Sequence, residues 1–278
     1  MKFLVTGYLE VDSGKTSLAL CLVRALKSRG RLALAAKPVA GHSAWHQYGT
    51  VVRSRELSLL VGEDAYRLAA EVGMLDRVHV LNPVDVLIAP MDPAKTGGIV
   101  EEPLNVALMR VTRCAGVVRV EHYVCEEVVN AAPHLLAQEL VELARCLRPA
   151  PRQLSLREAR ELLWREAGAC ADRCLELLKG ECEDLVVESF NNAAAPTPGS
   201  LDADYVLAVA PGRVDLFEGG KYREAVSVLA SLGMVTKLTV SEVCRYVEPA
   251  YTAWVRPVAR DFEEAYREPV EEVLKRVL

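Results

Sequence analysis

The residues that could do chemistry begin with a glycine, a lysine and a threonine that stand together at 14–16. In a loop that leads into a helix, backbone N–H groups and the positive end of the helix dipole surround a phosphate. A lysine in this loop reaches the outer phosphates, and a threonine hydroxyl can ligate Mg²⁺. The pattern therefore predicts a nucleotide-binding loop, whose binding residues would be Asp12, Ser13, Gly14, Lys15, Thr16 and Ser17.

The spacing of this loop differs from the usual phosphate-loop pattern, G-x-x-x-x-G-K-[ST]. Counting back from Gly14 places Leu9 where the first glycine would stand, and the nearest upstream glycine is Gly7. The sequence therefore predicts a variant loop. A chance GKT triplet at a turn before a helix is the alternative.

Two elements must position the loop, and the sequence predicts both of them. The apolar run over 3–5 indicates a buried strand, which ends at Thr6-Gly7. Apolar residues then recur at helical spacing in the segment that follows the loop, at Leu18, Leu22, Ala25 and Leu26. The order strand, loop, helix is the one that phosphate capture requires.

Two further charged residues follow predicted strands. The run over 32–39 predicts a central parallel strand that carries Lys37 at its carboxyl end, and the run over 185–187 predicts a strand that ends at Glu188. Ligands of open α/β sheets bind at the carboxyl ends of the strands. We therefore expect Lys37 to face the phosphate loop, so that Lys15 and Lys37 are the candidate catalytic residues. Glu188 is a candidate Mg²⁺ ligand, directly or through water. A solvated lysine and an ordinary capping carboxylate are the alternatives.

The remaining pattern alternates strands and helices. It predicts helices over 63–72, 133–146, 155–179, 221–232 and 260–277, a hairpin or pair of edge strands within 105–129, and strands over 205–210, 234–238 and 253–258. Alternating β and α units predict an α/β fold, doubly wound around a mostly parallel sheet, as in P-loop nucleoside triphosphatases. We expect a single domain over 1–278, with the hairpin and helices of 99–180 inserted within it.

Composition narrows the classes of partner. The chain has 278 residues, 51% of them hydrophobic and 26% charged, with a net charge of −5. This acidic balance argues against a nucleic-acid coat or a polybasic membrane surface and favours a small-molecule partner. Because Met1-Lys2 leads directly into a strand and no apolar run of about 20 residues occurs, we expect a cytoplasmic protein without a membrane span.

The chain has eight cysteines and no CxxC pair. In a reducing cytosol most of them should be buried structural thiols. Cys170, Cys174 and Cys182 lie close together in the sequence, so the alternatives are a metal or redox site there, or one of these three in a disulfide.

Five segments resemble the dethiobiotin synthetase family, and they occur in the same order. VTGYLEVDSGKT at 5–16 is similar to the family's VTG-loop-GKT opening, and KPVAGHS at 37–43 to its K-P-V-x-S-G-S segment. DAYRLA at 64–69 and VLNPVDVLIAP at 80–90 resemble its D-A-x-x-L and N-P-x-x-F-x-x-P elements. LVVES at 185–189 resembles the start of its V-E-G-A-G-G stretch.

The resemblance implies roles for particular residues. Lys15 and Lys37 would contact the phosphates and a carbamate intermediate, and Thr16, Asp64 and Glu188 would hold Mg²⁺. The implied cofactors are Mg²⁺ and ATP, and the implied assembly is a homodimer. Two segments that would hold the substrate depart from the family, since GHS at 41–43 replaces Ser-Gly-Ser and SFNN at 189–192 replaces Gly-Ala-Gly-Gly. The candidate substrate residues in these segments are Gly41, Ser43 and Asn191.

Three functions compete. The first is an ATP-dependent ligase, in which a carboxylate or carbamate is phosphorylated and an amine then closes an amide-type bond. The second is a nucleotide-dependent regulatory switch that binds a protein partner and uses ATP or GTP. TKLT at 236–239 faintly resembles a guanine-reading element without its aspartate. The third is a polynucleotide kinase, because DSGKT at 12–16 resembles a D-x-G-K-[ST] loop, although the acidic composition argues against it.

Overall fold

The computed structural model describes residues 1–98, 104–231, 237–259 and 262–278. Within them the chain divides into two compact units. The first unit comprises Met1–Pro38, Leu68–Leu75 and Leu175–Leu278, and the second comprises Val39–Arg67 and Asp76–Cys174. The second unit thus begins well before the insertion predicted over 99–180. The single domain with an insertion stays a prediction, because compactness alone does not define a domain.

The described residues form strands β1 (Lys2–Gly7), β2 (Ala33–Ala36), β3 (Val39–Ser43), β4 (Val84–Ile88), β5 (Val106–Ala115), β6 (Val117–Val124), β7 (Arg152–Gln153), β8 (Asp184–Glu188), β9 (Tyr205–Ala210), β10 (Arg213–Glu218) and β11 (Tyr251–Trp254). They form helices α1 (Lys15–Ser28), α2 (Tyr48–Leu57), α3 (Glu63–Val72), α4 (Val78–Leu81), α5 (Pro93–Thr96), α6 (Glu126–Ala131), α7 (His134–Cys146), α8 (Leu156–Leu162), α9 (Gly168–Lys179), α10 (Gly219–Ala230), α11 (Val240–Val243) and α12 (Arg267–Val277). None of the described helices is long and apolar enough to cross a membrane.

The sheet of the first unit has the strand order β11-β10-β9-β1-β8-β2. Strands β2, β8, β1 and β9 are parallel, whereas β10 and β11 extend the sheet in antiparallel fashion. Strand β1 lies between β8 and β9, and all of its residues are buried. Its Phe3 and Val5 pack with Leu22 of α1 in the core of this unit. Burial on both faces explains why the parallel strands are nearly continuous apolar runs.

The sheet of the second unit has the order β3-β4-β5-β6-β7. Strands β3 and β4 are parallel, and β4, β5 and β6 are antiparallel. The β5–β6 hairpin turns at Gly116, whose φ of 74° favours glycine. Leu108 of β5 and Leu140 of α7 are in the core that covers this sheet. The α/β fold class is therefore confirmed, with two mixed sheets where the sequence predicted one.

Several predicted elements are confirmed. Helix α3 and strand β9 have the predicted bounds, and the hairpin forms within 105–129. The helical stretch predicted over 155–179 begins with a capping box between Ser155 and Glu158. A π-helical turn, Leu163–Ala167, separates α8 from α9 within that stretch.

Other elements differ from the prediction. The run predicted as one strand over 32–39 forms β2 and β3, which belong to different sheets. Pro38 stands between them, and it has no N–H to donate to a sheet. Strand β10 was not predicted, because Asp215 interrupts its apolar pattern. The last strand lies at Tyr251–Trp254 instead of 253–258. Most of the strand predicted over 234–238 falls outside the described residues, because the described chain resumes at 237.

The disulfide alternative is confirmed for Cys174, but its partner was not predicted. Cys174 forms a disulfide with Cys114, across a Cα–Cα distance of 5.3 Å, and neither Cys170 nor Cys182 takes part. The bond joins the end of β5 to α9, so it depends on the packing of a helix against a distant strand. The spacing of cysteines along one helix cannot reveal that contact.

Candidate functional site

Two glycines, Gly7 at the end of β1 and Gly14 before α1, flank the loop between these elements, and the backbone of each lies against other groups. Gly14 has a φ of 95°, in the left-handed region, and a Cβ at this position would overlap the Tyr266 hydroxyl. A Cβ on Gly7 would overlap the Ser13 hydroxyl. Asp12 also has a positive φ, of 54°. Glycine at 7 and 14 is therefore needed for this loop conformation.

Lys15 lies in the first turn of α1 and its side chain is largely buried. Its Nζ donates a hydrogen bond of 2.9 Å to the buried Ser13 Oγ. The ammonium group is thus held back along the loop that precedes its own helix. The apolar face of α1, which includes Leu18, Leu22 and Leu26 as predicted, anchors the helix in the core.

Glu188 is the residue on which other predicted site residues converge. It ends β8, in register with Val5 of the neighbouring parallel strand β1. Lys37 directly follows β2, the other neighbour of β8. The Lys37 Nζ lies 2.7 Å from Glu188 Oε1, and the Thr16 hydroxyl donates to the same oxygen at 2.8 Å. Three strand and helix ends therefore bring Thr16, Lys37 and Glu188 together.

This cluster is almost entirely removed from solvent. Glu188 is 0% exposed and Lys37 is 6% exposed. An ionised carboxylate in such a place requires a charged or hydrogen-bonding partner, because desolvation of an unpaired charge costs several kcal/mol. Lys37 and Thr16 supply that compensation. The ion pair fixes the position of the Lys37 ammonium group at the carboxyl ends of the parallel strands.

The other nucleotide-binding and substrate candidates of the first unit have less definite surroundings. Asp12 is exposed, and Ser17 is partly buried in the first turn of α1. Asn191 is exposed, with a φ of 44°, in the turn that follows β8. That turn is fastened by Ser189, whose N–H donates to the Val5 carbonyl at 2.8 Å.

Three predicted site residues belong to the second unit. Gly41 and Ser43 lie on β3, and Asp64 lies in the first turn of α3, where it is partly buried. In the part of the chain that the structure describes, no group of three or more His, Cys, Asp or Glu side chains could hold a metal ion. The oxygen ligands that the first unit itself brings together are those of Thr16 and Glu188. The proposed guanine-reading element begins at Thr236, outside the described residues.

Sequence reasoning missed a buried polar network in the second unit. His42 Nε2 lies 2.7 Å from Asp85 Oδ1, and its Nδ1 lies 2.6 Å from the Thr50 hydroxyl. Arg110 is fully buried, and it donates to the carbonyls of Leu60 and Asn82 at 2.7 and 2.6 Å. In the β4–β5 ladder Arg110 stands directly opposite Asp85.

Burial and charge shift the pKa values in this network. Burial alone would raise the pKa of Asp85, but His42, Arg110 and a backbone N–H donated by Gly62 hold it below its usual value. Burial lowers the pKa of Arg110 to about 10, against the attraction of Asp85. Burial, assisted by the charge of Arg110, lowers the pKa of His122 to about 4.

The network can be explained as a structural device. Its members are inaccessible to solvent, and Arg110 ties the backbone at Leu60 and Asn82 to the centre of the sheet. The signal for it in the sequence is the single charged residue within each of two apolar strands, VDVLI and VALMRV. Recognising the pair would have required the register that places Asp85 opposite Arg110.

No protein-family model matches the chain, and a search of the curated proteins finds no significant match. The resemblance to dethiobiotin synthetases therefore stays a prediction.

Proposed function

We propose that the first unit is a Mg²⁺-dependent nucleotide site of the P-loop type, and that it catalyses phosphoryl transfer from ATP. The observation that carries this proposal is the convergence of Thr16 and Lys37 on one oxygen of Glu188. Thr16 follows Lys15 in the first turn of α1, Glu188 ends β8, and Lys37 directly follows β2. Parallel strands β2, β8, β1 and β9, with the loop after β1, support a P-loop triphosphatase fold for this unit.

The residues present fit a phosphate. The loop backbone at Gly7 and Gly14 has no room for a side chain, and it leads directly into the N-terminus of α1, a helix of 14 residues. N–H groups at such a terminus carry partial positive charge and bind anions. Lys15 adds a full positive charge beside them.

The residues also fit a divalent cation. Mg²⁺ prefers oxygen ligands, and it is usually bound by one or two carboxylates together with phosphates. Thr16 Oγ1 and Glu188, both of the first unit, would hold it. When bound, the ion would neutralise charge on the phosphates.

Lys15 and Lys37 would supply the electrostatic part of catalysis. Phosphoryl transfer depends mainly on positioning and on stabilising charge on the transferred group. Lys37 is suited to this because the contact with Glu188 orients its ammonium group before a ligand arrives. We propose a carboxylate or carbamate as the acceptor, as in a ligase, on the resemblance alone.

Calorimetric titration with ATP and with GTP, each with and without Mg²⁺, tests nucleotide binding. Lys15→Met should weaken binding at least tenfold, because it removes the charge that faces the outer phosphates. Lys27→Met is the matched control: Lys27 lies at the other end of α1, and its Nζ donates to the Glu71 carbonyl at 2.8 Å. Wild-type affinity in the Lys15→Met variant would contradict the proposal, and so would no binding to the wild-type protein.

Measurement of Mg²⁺-dependent ATP hydrolysis tests the role of Lys37. Lys37→Ala should abolish hydrolysis while nucleotide binding remains largely intact, provided that circular dichroism shows the variant to be folded. Equal hydrolysis rates in the two proteins would remove Lys37 from the mechanism.

A further inference from the structure

The second unit contains a cavity of about 480 Å³ at the carboxyl ends of the parallel strands β3 and β4. Ser43, the last residue of β3, pairs with Ile88, the last residue of β4. The chain continues from these two positions into the cavity wall. Asn105, which directly precedes β5, completes this edge of the sheet. Carboxyl ends of neighbouring parallel strands are the common position of ligand sites in α/β proteins, and the volume suits a small molecule.

The chemistry of the wall favours a neutral, apolar ligand. Of the lining residues that the structure describes, none is a lysine, arginine, aspartate or glutamate. A polyphosphate or a free carboxylate would therefore find no permanent counter-charge here, since His46 is the titratable side chain among the described lining residues. The Trp45 side chain is 61% exposed, so its ring offers an open apolar surface at the cavity. The wall is otherwise mainly apolar, with Ile88, Ala89, Pro90, Met91, Pro93 and Pro133.

Asn105 gives the cavity one polar group with unused hydrogen-bonding capacity. Its side chain is only 4% exposed, and its Oδ1 accepts no hydrogen bond from any residue that the structure describes. Its backbone is fixed, since its carbonyl accepts a hydrogen bond of 3.1 Å from the Ala89 N–H. A buried acceptor without a donor carries a free-energy penalty, which a ligand donor would remove.

We propose that this cavity binds a neutral, flat and largely apolar molecule with an N–H donor, such as a nitrogen heterocycle. The ring would lie against Trp45, and rotation of the buried Asn105 amide would present its side-chain oxygen to the ligand N–H. The site belongs to the second unit and does not rest on the nucleotide proposal. It assigns a specific environment to Ser43, which the sequence placed among the substrate residues.

Ligand-detected saturation-transfer NMR on the full chain tests the site, with indole as the probe and 1-methylindole as its matched analogue without the N–H. Saturable binding of indole is expected in the millimolar range, since so small a ligand can gain little more. Indole should bind roughly three- to tenfold more tightly than 1-methylindole, the usual range for one hydrogen bond. Absence of saturable binding, or equal affinity for the two probes, would overturn the proposal.

Three variants locate the binding. Trp45→Ala should weaken indole binding about fivefold or more, because the ring contact is lost. Trp254→Ala, which removes another exposed tryptophan from the first unit, should leave it unchanged. Asn105→Leu should make the two probes bind equally. Unchanged binding in Trp45→Ala, or a preserved preference for indole in Asn105→Leu, would show that the probe binds elsewhere.

Discussion

The Lys37–Glu188 pair allows a test of the geometry that does not require a ligand. Lys37→Met keeps most of the apolar side-chain stem but leaves the Glu188 carboxylate buried without the ammonium group 2.7 Å away. At that distance the gross attraction is roughly 6 kcal/mol with an effective dielectric constant of about 20. Desolvation of the two ions costs a similar amount, so the intact pair contributes little net stability.

Removing only one partner has a different effect. An uncompensated buried charge costs about 3–5 kcal/mol. Because the Thr16 hydroxyl still donates to Glu188 at 2.8 Å, we expect the lower end, about 3 kcal/mol, for Lys37→Met. The double variant Lys37→Met/Glu188→Gln removes both charges and keeps an acceptor for Thr16. It should therefore be about 2 kcal/mol more stable than Lys37→Met alone.

Hydrogen exchange measured by mass spectrometry is the appropriate assay, since a chain with two compact units can unfold in more than one transition. Peptides covering β1 and β8 report the free energy of opening of the first unit. Arg157→Met is the control: the Arg157–Glu161 pair is exposed, with side chains 87% and 47% accessible, and its loss should change stability by less than about 0.5 kcal/mol. The reasoning would be refuted if Lys37→Met showed the same protection from hydrogen exchange as the wild type, or if the double variant were less stable than Lys37→Met.

Three further predictions concern other parts of the chain. Replacing both Cys114 and Cys174 by alanine should reduce the free energy of unfolding of the second unit by about 4 kcal/mol, because the bond closes a sequence separation of 60 residues. For the same reason, a reductant should lower the melting temperature of the wild-type protein. Gly14→Ala should abolish nucleotide binding in calorimetry and destabilise the loop, since a Cβ meets the Tyr266 hydroxyl and the φ of 95° strains any L-residue. Burial lowers the pKa of His122 in the folded state from 6.5 to about 4, so between these pH values the unfolded state binds a proton that the folded state does not. The stability of the second unit should therefore rise with pH between about 4 and 6.5. Urea denaturation should show that the free energy of unfolding falls by about 3 kcal/mol from pH 7 to pH 4. The His122→Gln substitution should largely remove this pH dependence.

Each of these has a result that would contradict it. The disulfide account fails if reductant leaves melting unchanged, and the loop account fails if Gly14→Ala binds nucleotide like the wild type. For His122, the contradicting result is that the stability of the wild type and of His122→Gln depends on pH to the same extent.

The part of the site that the sequence predicted depends on local pattern. Lys15 and Thr16 begin a helix that follows a strand and a glycine, and Lys37 and Glu188 directly follow short apolar runs. Parallel strands place their carboxyl ends at one edge, so residues at these positions could be expected to converge. Their convergence required no knowledge of the chain between Lys37 and Glu188.

The parts that could not be predicted depend on distant contacts. A continuous apolar run gave no sign that Pro38 divides it between two sheets. Asp215 interrupted the pattern of β10, although it is buried and accepts a hydrogen bond of 2.7 Å from the Tyr8 hydroxyl. The opposition of Asp85 and Arg110 depends on strand register, which the sequence does not specify when the intervening connection is long.

The most direct test of the central claim is NMR of backbone amides during titration with Mg²⁺–ATP. Saturable chemical-shift changes are expected, largest at Gly14, Lys15 and Thr16, and adenosine without phosphates should not reproduce them. Saturable changes confined to residues away from this loop, or the same changes with adenosine alone, would contradict the claim that the loop captures phosphate.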